Sequence, residues 1–207
     1  MTTQQMVELI RQHHPDIGET EAIMLLNRAK DQLCERVDLL RDKDTSLTTT
    51  ASTTEYTIPT GTLKVYEVYV GSDQAYRISG RPIIGEMEDL RSETYYYWVE
   101  RDKIYIVEGG SSTAYTAASL TITIYRSYLD ADITTDGVAH TMDMPSRFHE
   151  ALVDWAIGRG YKRPPMDDER RKNAIFFDKN FEMTLKRAKK YIRSDMQDGG
   201  FVVPCDY

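Results

Sequence analysis

Cysteine is scarce in this chain: Cys34 and Cys205 are the only two among 207 residues. They form no CxxC pair, and the four histidines offer no spacing that would complete a metal set. Neither a disulfide framework nor a zinc site organises such a sequence. Cys34 falls beside the apolar stripe of a helical pattern and reads as a small core residue, while Cys205 reads as the free thiol of a reducing compartment. Long apolar runs are missing too. No stretch approaches the roughly 20 apolar residues that cross a bilayer, and the start, MTTQQMVELIRQHH, has neither a charged n-region nor an apolar h-region. The expectation is a soluble, unexported chain with no membrane partner.

An excess of basic charge is likewise absent. The formal net charge is -7 and the isoelectric point is near 5.2, the opposite of the basic domain that a dedicated nucleic-acid binder carries. Any DNA contact must be local. Catalytic signatures are missing as well: Gly109-Gly110-Ser111-Ser112 sits in no GxGxxG or GxxxxGK pattern, and there is no nucleophile elbow, HExxH motif or paired-carboxylate signature. His149, Glu150 and Asp154 put ionisable groups beside a core stripe, but without convergent partners they read as satisfied surface groups. His13-His14 reads as a helix end. The chain is therefore expected to be no enzyme and to use no cofactor.

What is present is an ordered change of periodicity. Met6, Leu9 and Ile10 make a short apolar face that His14-Pro15-Asp16 breaks. Ala22, Leu26, Ala29, Leu33, Val37 and Leu40 then recur at spacings of four and three, which predicts a helix over residues 19–41 with Glu19 and Glu21 in its first turn. The Thr-rich run 45–54 reads as an extended arm or edge strand, with a flexible linker as the alternative. Residues 63–70 read as a strand with apolar or aromatic side chains on both faces, and such a sheet is covered on both sides or packed on a neighbour. A short helix is predicted over 83–90, a hairpin with a four-residue loop over 95–107, and a strand over 120–125. Helical periodicity returns after Met144-Pro145 with Phe148, Leu152, Trp155 and Ala156 inward. Asp167 and Asp168 can cap a final long helix carrying Ala174, Phe177, Phe181, Leu185, Ala188 and Ile192.

The fold class these patterns imply is α+β: a long-helix bundle formed by the N- and C-terminal halves, with an inserted antiparallel β-domain and an extended C-terminal tail. The boundaries fall at 1–44 for the N-terminal helices, 45–130 for the β-domain, 131–197 for the C-terminal helices and 198–207 for the tail.

Three groups of residues are candidate contacts. The aromatic strand residues Tyr96, Tyr97 and Trp98 read as core plus subunit interface; stacking on bases or sugars is the alternative, and no interleaved basic run accompanies them. Lys186, Lys189, Lys190 and Arg193, with Arg187, form a basic cluster near the end of the last helix. It is either a solvated face or a contact for DNA phosphates or an acidic partner. Phe201, Val202 and Val203 follow the helix-ending Gly199-Gly200 and precede Pro204; ten tail residues cannot bury that apolar run alone.

Several stretches, taken in order, resemble the head-to-tail adaptor (connector or head-completion) proteins of tailed double-stranded DNA bacteriophages. They are Glu55-Tyr56-Thr57-Ile58-Pro59, Tyr97-Trp98-Val99 with Asp102-Lys103-Ile104-Tyr105-Ile106, the strand 120–126, and Met144-Pro145-Ser146-Arg147-Phe148-His149-Glu150-Ala151-Leu152-Val153. The likeness covers nearly the whole chain. It implies a virion component at the portal vertex: a ring, commonly of twelve subunits, bound beneath the portal protein. Such a ring prolongs the channel for packaged DNA and offers a platform for tail or nozzle proteins, with the C-terminal tail reaching into the portal or a neighbouring subunit. Another neck or tail component, such as a tail terminator, is the alternative within the virion. A carbohydrate- or DNA-binding module is the alternative from a different class.

Overall fold

The first helix, α1 (Thr3–His13), begins at a reciprocal cap in which the Thr2 hydroxyl accepts from the Gln5 backbone N–H and the Gln5 side chain accepts from the Thr2 N–H, at 3.2 and 2.9 Å. Such a box contributes about 1 kcal/mol. The computed structural model describes residues 1–50, 53–80, 90–92, 94–110, 119–134 and 142–198, without the side chains of 194–198. The expected helix over 83–90 apart from Leu90, the turn residues Ser111 and Ser112, and the tail with Phe201, Val202 and Val203 lie outside the described residues. The chain divides into two compact units, Met1–Leu40 with Leu129–Tyr207, and Arg41–Tyr128.

In the helical unit, α1 is followed by α2 (Glu19–Val37), α3 (His149–Tyr161, entered through a 3-10 turn at Ser146–Phe148) and α4 (Asp168–Asp198). The α2 helix stops four residues before the expected Arg41 because Asp38 turns left-handed, with φ at 52°. Ala22, Leu26, Ala29, Leu33 and Val37 are buried along it, as their spacing predicts. The α4 helix starts where Asp167 caps the Arg170 N–H at 2.7 Å.

The expected bundle of long helices is corrected here. Among the described helices α4 has 31 residues and α2 has 19, but α1 and α3 have 11 and 13, and the short α3 is the hub against which α1, α2 and α4 all pack. Pro15 and the prolines at 145, 164 and 165 keep α1 and α3 short. Ala151, Leu152, Val153, Trp155, Ala156 and Ile157 are all buried, so α3 is enclosed nearly all round and does not present a single stripe. Glycines let its neighbours close in. A Cβ at Gly158 would stand 3.2 Å from the Phe177 Cβ. One at Gly160 would collide with the His14 ring.

Lys30 sits inside this unit, wholly shielded from solvent. Its ammonium donates to the Asp130 and Ala131 carbonyls at 2.7 and 3.0 Å and to the Asp132 carboxylate at 2.9 Å. Asn27 reinforces the seam, donating to the Ile133 carbonyl and accepting from the Ile133 N–H at 3.0 and 2.8 Å. The segment that re-enters the unit is thereby stitched to α2.

The second unit is a seven-stranded sheet of β1 (Arg41–Thr48), β2 (Glu55–Thr57), β3 (Thr62–Val70), β4 (Asp73–Arg77), β5 (Tyr95–Glu100), β6 (Lys103–Glu108) and β7 (Thr121–Tyr128), in the order β1-β7-β3-β4-β5-β6-β2. It is mixed and not purely antiparallel, because β4 and β5 run parallel. The sequence reading missed β4, whose DQAYR carries one buried residue, Ala75, and so shows no alternation. The β5–β6 loop is shorter than expected: Glu100 pairs with Lys103, leaving the two-residue turn Arg101-Asp102 with Arg101 at φ 56°.

Chain length forces the sheet to curl. Seven strands laid flat would separate the outermost ones by about 29 Å, whereas the link from Thr48 to Glu55 reaches at most about 25 Å. Both ends of that link are tied down, Thr49 N–H to the Leu120 carbonyl and Thr54 carbonyl to the Ile106 N–H, each at 2.8 Å. Register shifts in β1 and β3 add local twist. The concave side encloses Val65, Val68, Val70, Ala75, Tyr97, Ile104, Ile106, Ile122 and Ile124.

Candidate functional site

Strand alternation turns one set of side chains into the curled core and the next set out. Since Val68, Ala75, Tyr97, Ile104 and Ile124 point inward, their neighbours Tyr69, Tyr76, Tyr96, Trp98, Tyr105 and Tyr125 face outward across five adjacent strands. Their rings touch in pairs: Tyr69 on Tyr125 at 5.8 Å, Tyr76 on Tyr96 at 6.2 Å, and Trp98 stacked on Tyr105 at 4.9 Å with the planes 4° apart. Tyr76 is 59% exposed.

The predicted trio is thereby split. Tyr96 is half-buried on the outer face and Trp98 is buried there, its indole N–H without a hydrogen-bond partner among the described residues. Tyr97 is interior, and its hydroxyl donates to the Tyr66 carbonyl at 3.2 Å. Burial raises the Tyr97 phenol pKa.

At the end of the sheet bearing the β2–β3 and β5–β6 turns lies a cleft of about 740 Å³ with Lys64, Arg77, Arg101 and Asp102 on its rim. Nearby, the Arg126 guanidinium ties β7 to the edge strand, donating to Asp44 at 3.1 Å and to the Thr62 hydroxyl at 2.9 Å. Burial by itself would raise the Asp44 pKa; hydrogen bonds from Ser46 and the Arg126 charge reverse this and hold it below the usual value.

In the helical unit, Lys186, Lys189, Lys190 and Arg193 are all exposed on α4, on the side away from buried Phe181, Leu185 and Ala188. Lys172 and Lys179 continue the exposed stripe, which runs for about 32 Å at 1.5 Å per residue. The two acids of that stretch are engaged inside the unit: Asp178 accepts from Lys162 at 2.6 Å, and Glu182 binds Arg36 through both oxygens at 2.7 and 3.0 Å. An acidic chain thus keeps one basic helix face.

The ionisable residues of α3 do not converge. His149 is buried and not a surface group: one ring nitrogen lies 3.0 Å from the Met144 carbonyl and the other 3.2 Å from the Met1 nitrogen. Burial was hidden from the sequence because a histidine at the start of a helix carries no apolar signal, and the groups that cover it, Met144 and Met1, are set by tertiary packing. Asp154 is half-buried, and desolvation, with the Glu150 charge added, pushes its carboxyl up to about 6. Burial pushes the Cys34 thiol up to about 11, which leaves it unreactive at neutral pH. Among the described residues no cluster of His, Cys, Asp and Glu has the geometry of a metal site, and no helix is long and apolar enough to cross a membrane.

The described residues thus present an outer aromatic face on the sheet and a basic face on α4. The profile described as SU10 adaptor protein matches residues 1–203, and the chain belongs to that family, which makes it a structural adaptor protein of a phage. No curated protein matches the sequence significantly.

Proposed function

We propose that this chain is a non-enzymatic virion protein that assembles into a ring between the phage portal and the tail, extending the DNA channel and offering a docking platform for tail or nozzle proteins. The observation that carries the reading is the exposure of large apolar side chains in both units of an adaptor-family chain: Tyr76 on the sheet, and Ile175, Phe176 and Met183 on α4, at 59, 48, 58 and 50%. Side chains of this size gain free energy when covered. Tyr76 and Tyr96 supply an aromatic contact of the kind interfaces favour.

In this reading the basic face of α4 meets packaged DNA through its phosphates, without reading sequence. Phe201, Val202 and Val203 anchor the ring to the portal or to a neighbouring subunit. The linked sites of a ring offset the cost of ordering each tail through effective concentration. The experiment is electron microscopy of the purified chain mixed with portal rings of the same phage. A ring of density stacked on one end of the portal is expected, and its loss on deleting residues 201–207 is expected in turn. Portal rings that stay bare with the intact chain would overturn the reading, and undiminished binding by the truncated chain would remove the tail as anchor.

A further inference from the structure

From Ala151 to Gly160 every residue of α3 is buried except two, the half-buried Asp154 and the exposed Arg159. The hub helix therefore opens to solvent through two windows of opposite charge. Five residues apart, they lie about 140° from one another around the helix axis. The Asp154 window opens into a groove of about 550 Å³ between α3 and α4, beside Met183, which is 50% exposed. The Arg159 window opens into a groove of about 620 Å³ between α2 and α3, beside Arg28 and Met24, the latter 43% exposed. Each groove thus combines an unpaired charge with an exposed thioether.

No cation of the described chain pairs with Asp154. Its nearest charged influence is Glu150 one turn away, while the Arg147 guanidinium of the same groove lies 3.9 Å over the Tyr191 ring. Arg159 rests on the Trp155 ring at 4.6 Å, and neither it nor Arg28 makes an ion pair with a described residue. Arg163, by contrast, is paired with Glu21. Both grooves carry other charges, Arg187 in the first and Asp31 and Glu35 in the second, so recognition works by position and not by net charge.

We infer that these two grooves are the two halves of one contact between copies of this chain, with Asp154 in the α3–α4 groove of one copy facing Arg159 and Arg28 in the α2–α3 groove of the next. Docking like groove on like groove would set Asp154 against Asp154 or Arg159 against Arg159, which is repulsive. Pairing unlike grooves uses two different patches of each subunit, and such a head-to-tail contact generates a ring when its rotation closes. The inference rests on the ring reading above and assigns its lateral interface to α2, α3 and α4.

The test uses the full chain and the variants Asp154→Arg and Arg159→Asp, each checked for an unchanged melting curve, with Arg28→Asp as a second variant should Asp154→Arg fail to fold. Assembly is read by native mass spectrometry, for the chain alone and on portal rings. Each variant by itself places like charges at every contact and is expected to assemble at least about ten-fold more weakly. An equimolar mixture of Asp154→Arg and Arg159→Asp restores an opposite pair at every contact of an alternating ring, so wild-type assembly is expected to return. A single variant that assembles like wild type, or a mixture that stays weak, overturns this interface while the ring reading stands. A wild-type chain that neither self-associates nor binds portal rings overturns the ring reading itself, and this interface with it.

Discussion

The helical unit takes Lys, Asp and His side chains inside and satisfies them there, whereas the curled sheet buries the hydroxyl side chains of Thr49, Thr123 and Ser127 with its aliphatic core and turns most of its aromatic side chains outward. Lys30, Asp130 and His149 are buried among α2, α3 and their connections, each with hydrogen-bond partners. The sheet encloses Val, Ile and Ala with Tyr56 and Tyr97, and shows Tyr69, Tyr76, Tyr96 and Tyr125 on its other face. The difference follows from how each unit closes. The helical unit joins residues about 100 positions apart in sequence, and buried ammonium-to-carbonyl bonds fix which segment docks where. The sheet closes mainly through its own ladder hydrogen bonds, with the Arg126 side chain tying β7 to β1 and β3.

Removing Lys30 should break that contrast most strongly. Lys30→Ala strands the buried Asp130 carbonyl and leaves a cavity, and a loss of about 3–5 kcal/mol is expected from denaturant unfolding. A loss below about 1 kcal/mol would mean that the seam is held by packing alone. Core truncation in the same unit, Leu152→Ala or Phe181→Ala, is expected to cost about 2–5 kcal/mol by the same measurement.

The two faces of the sheet give the next effect. Tyr97→Ala empties the interior and should cost about 3–5 kcal/mol, while Tyr96→Ala should change stability by less than about 1 kcal/mol and act on portal or neighbour binding instead. Equal melting losses for the two variants would erase the distinction between inner and outer face.

Charge sharpens the comparison more gently. Replacing Lys186, Lys189, Lys190 and Arg193 by Glu should leave the fold intact and lower DNA retention in assembled particles, with a shallower dependence on salt. Unchanged retention would assign this face to solvent. The last effect is a pH dependence at Asp154. Its carboxyl titrates at about 6 in the folded chain against 3.8 for the free group, so folding takes up a proton between those values. Stability is therefore greatest at and below the lower one and declines as pH rises to about 6. Melting temperature followed from pH 4 to 7 should show that decline in the wild type and its absence in Asp154→Asn; a parallel decline in both would assign the slope to other groups.

By itself the sequence determined the local elements. Spacings of three and four placed Ala22 to Val37 and Ala174 to Ala188 on buried helix faces, and alternation placed Ile122 and Ile124 inside a strand. Proline and capping residues marked most helix ends, because those signals act within a few residues. The outward basic face of α4 was legible for the same reason, as four cations at helical spacing oppose an apolar stripe. Tertiary structure alone decided what depends on distant partners. That α3 is a hub and not one rod of a long bundle follows from three helices closing on it, and no period in its own residues encodes that number. That Lys30 is buried follows from carbonyls about 100 residues away, and that β4 is a strand follows from neighbours supplying its hydrogen bonds. The two charged windows on α3 belong with these, since Asp154 and Arg159 are solvent-facing only because α1, α2 and α4 cover everything around them.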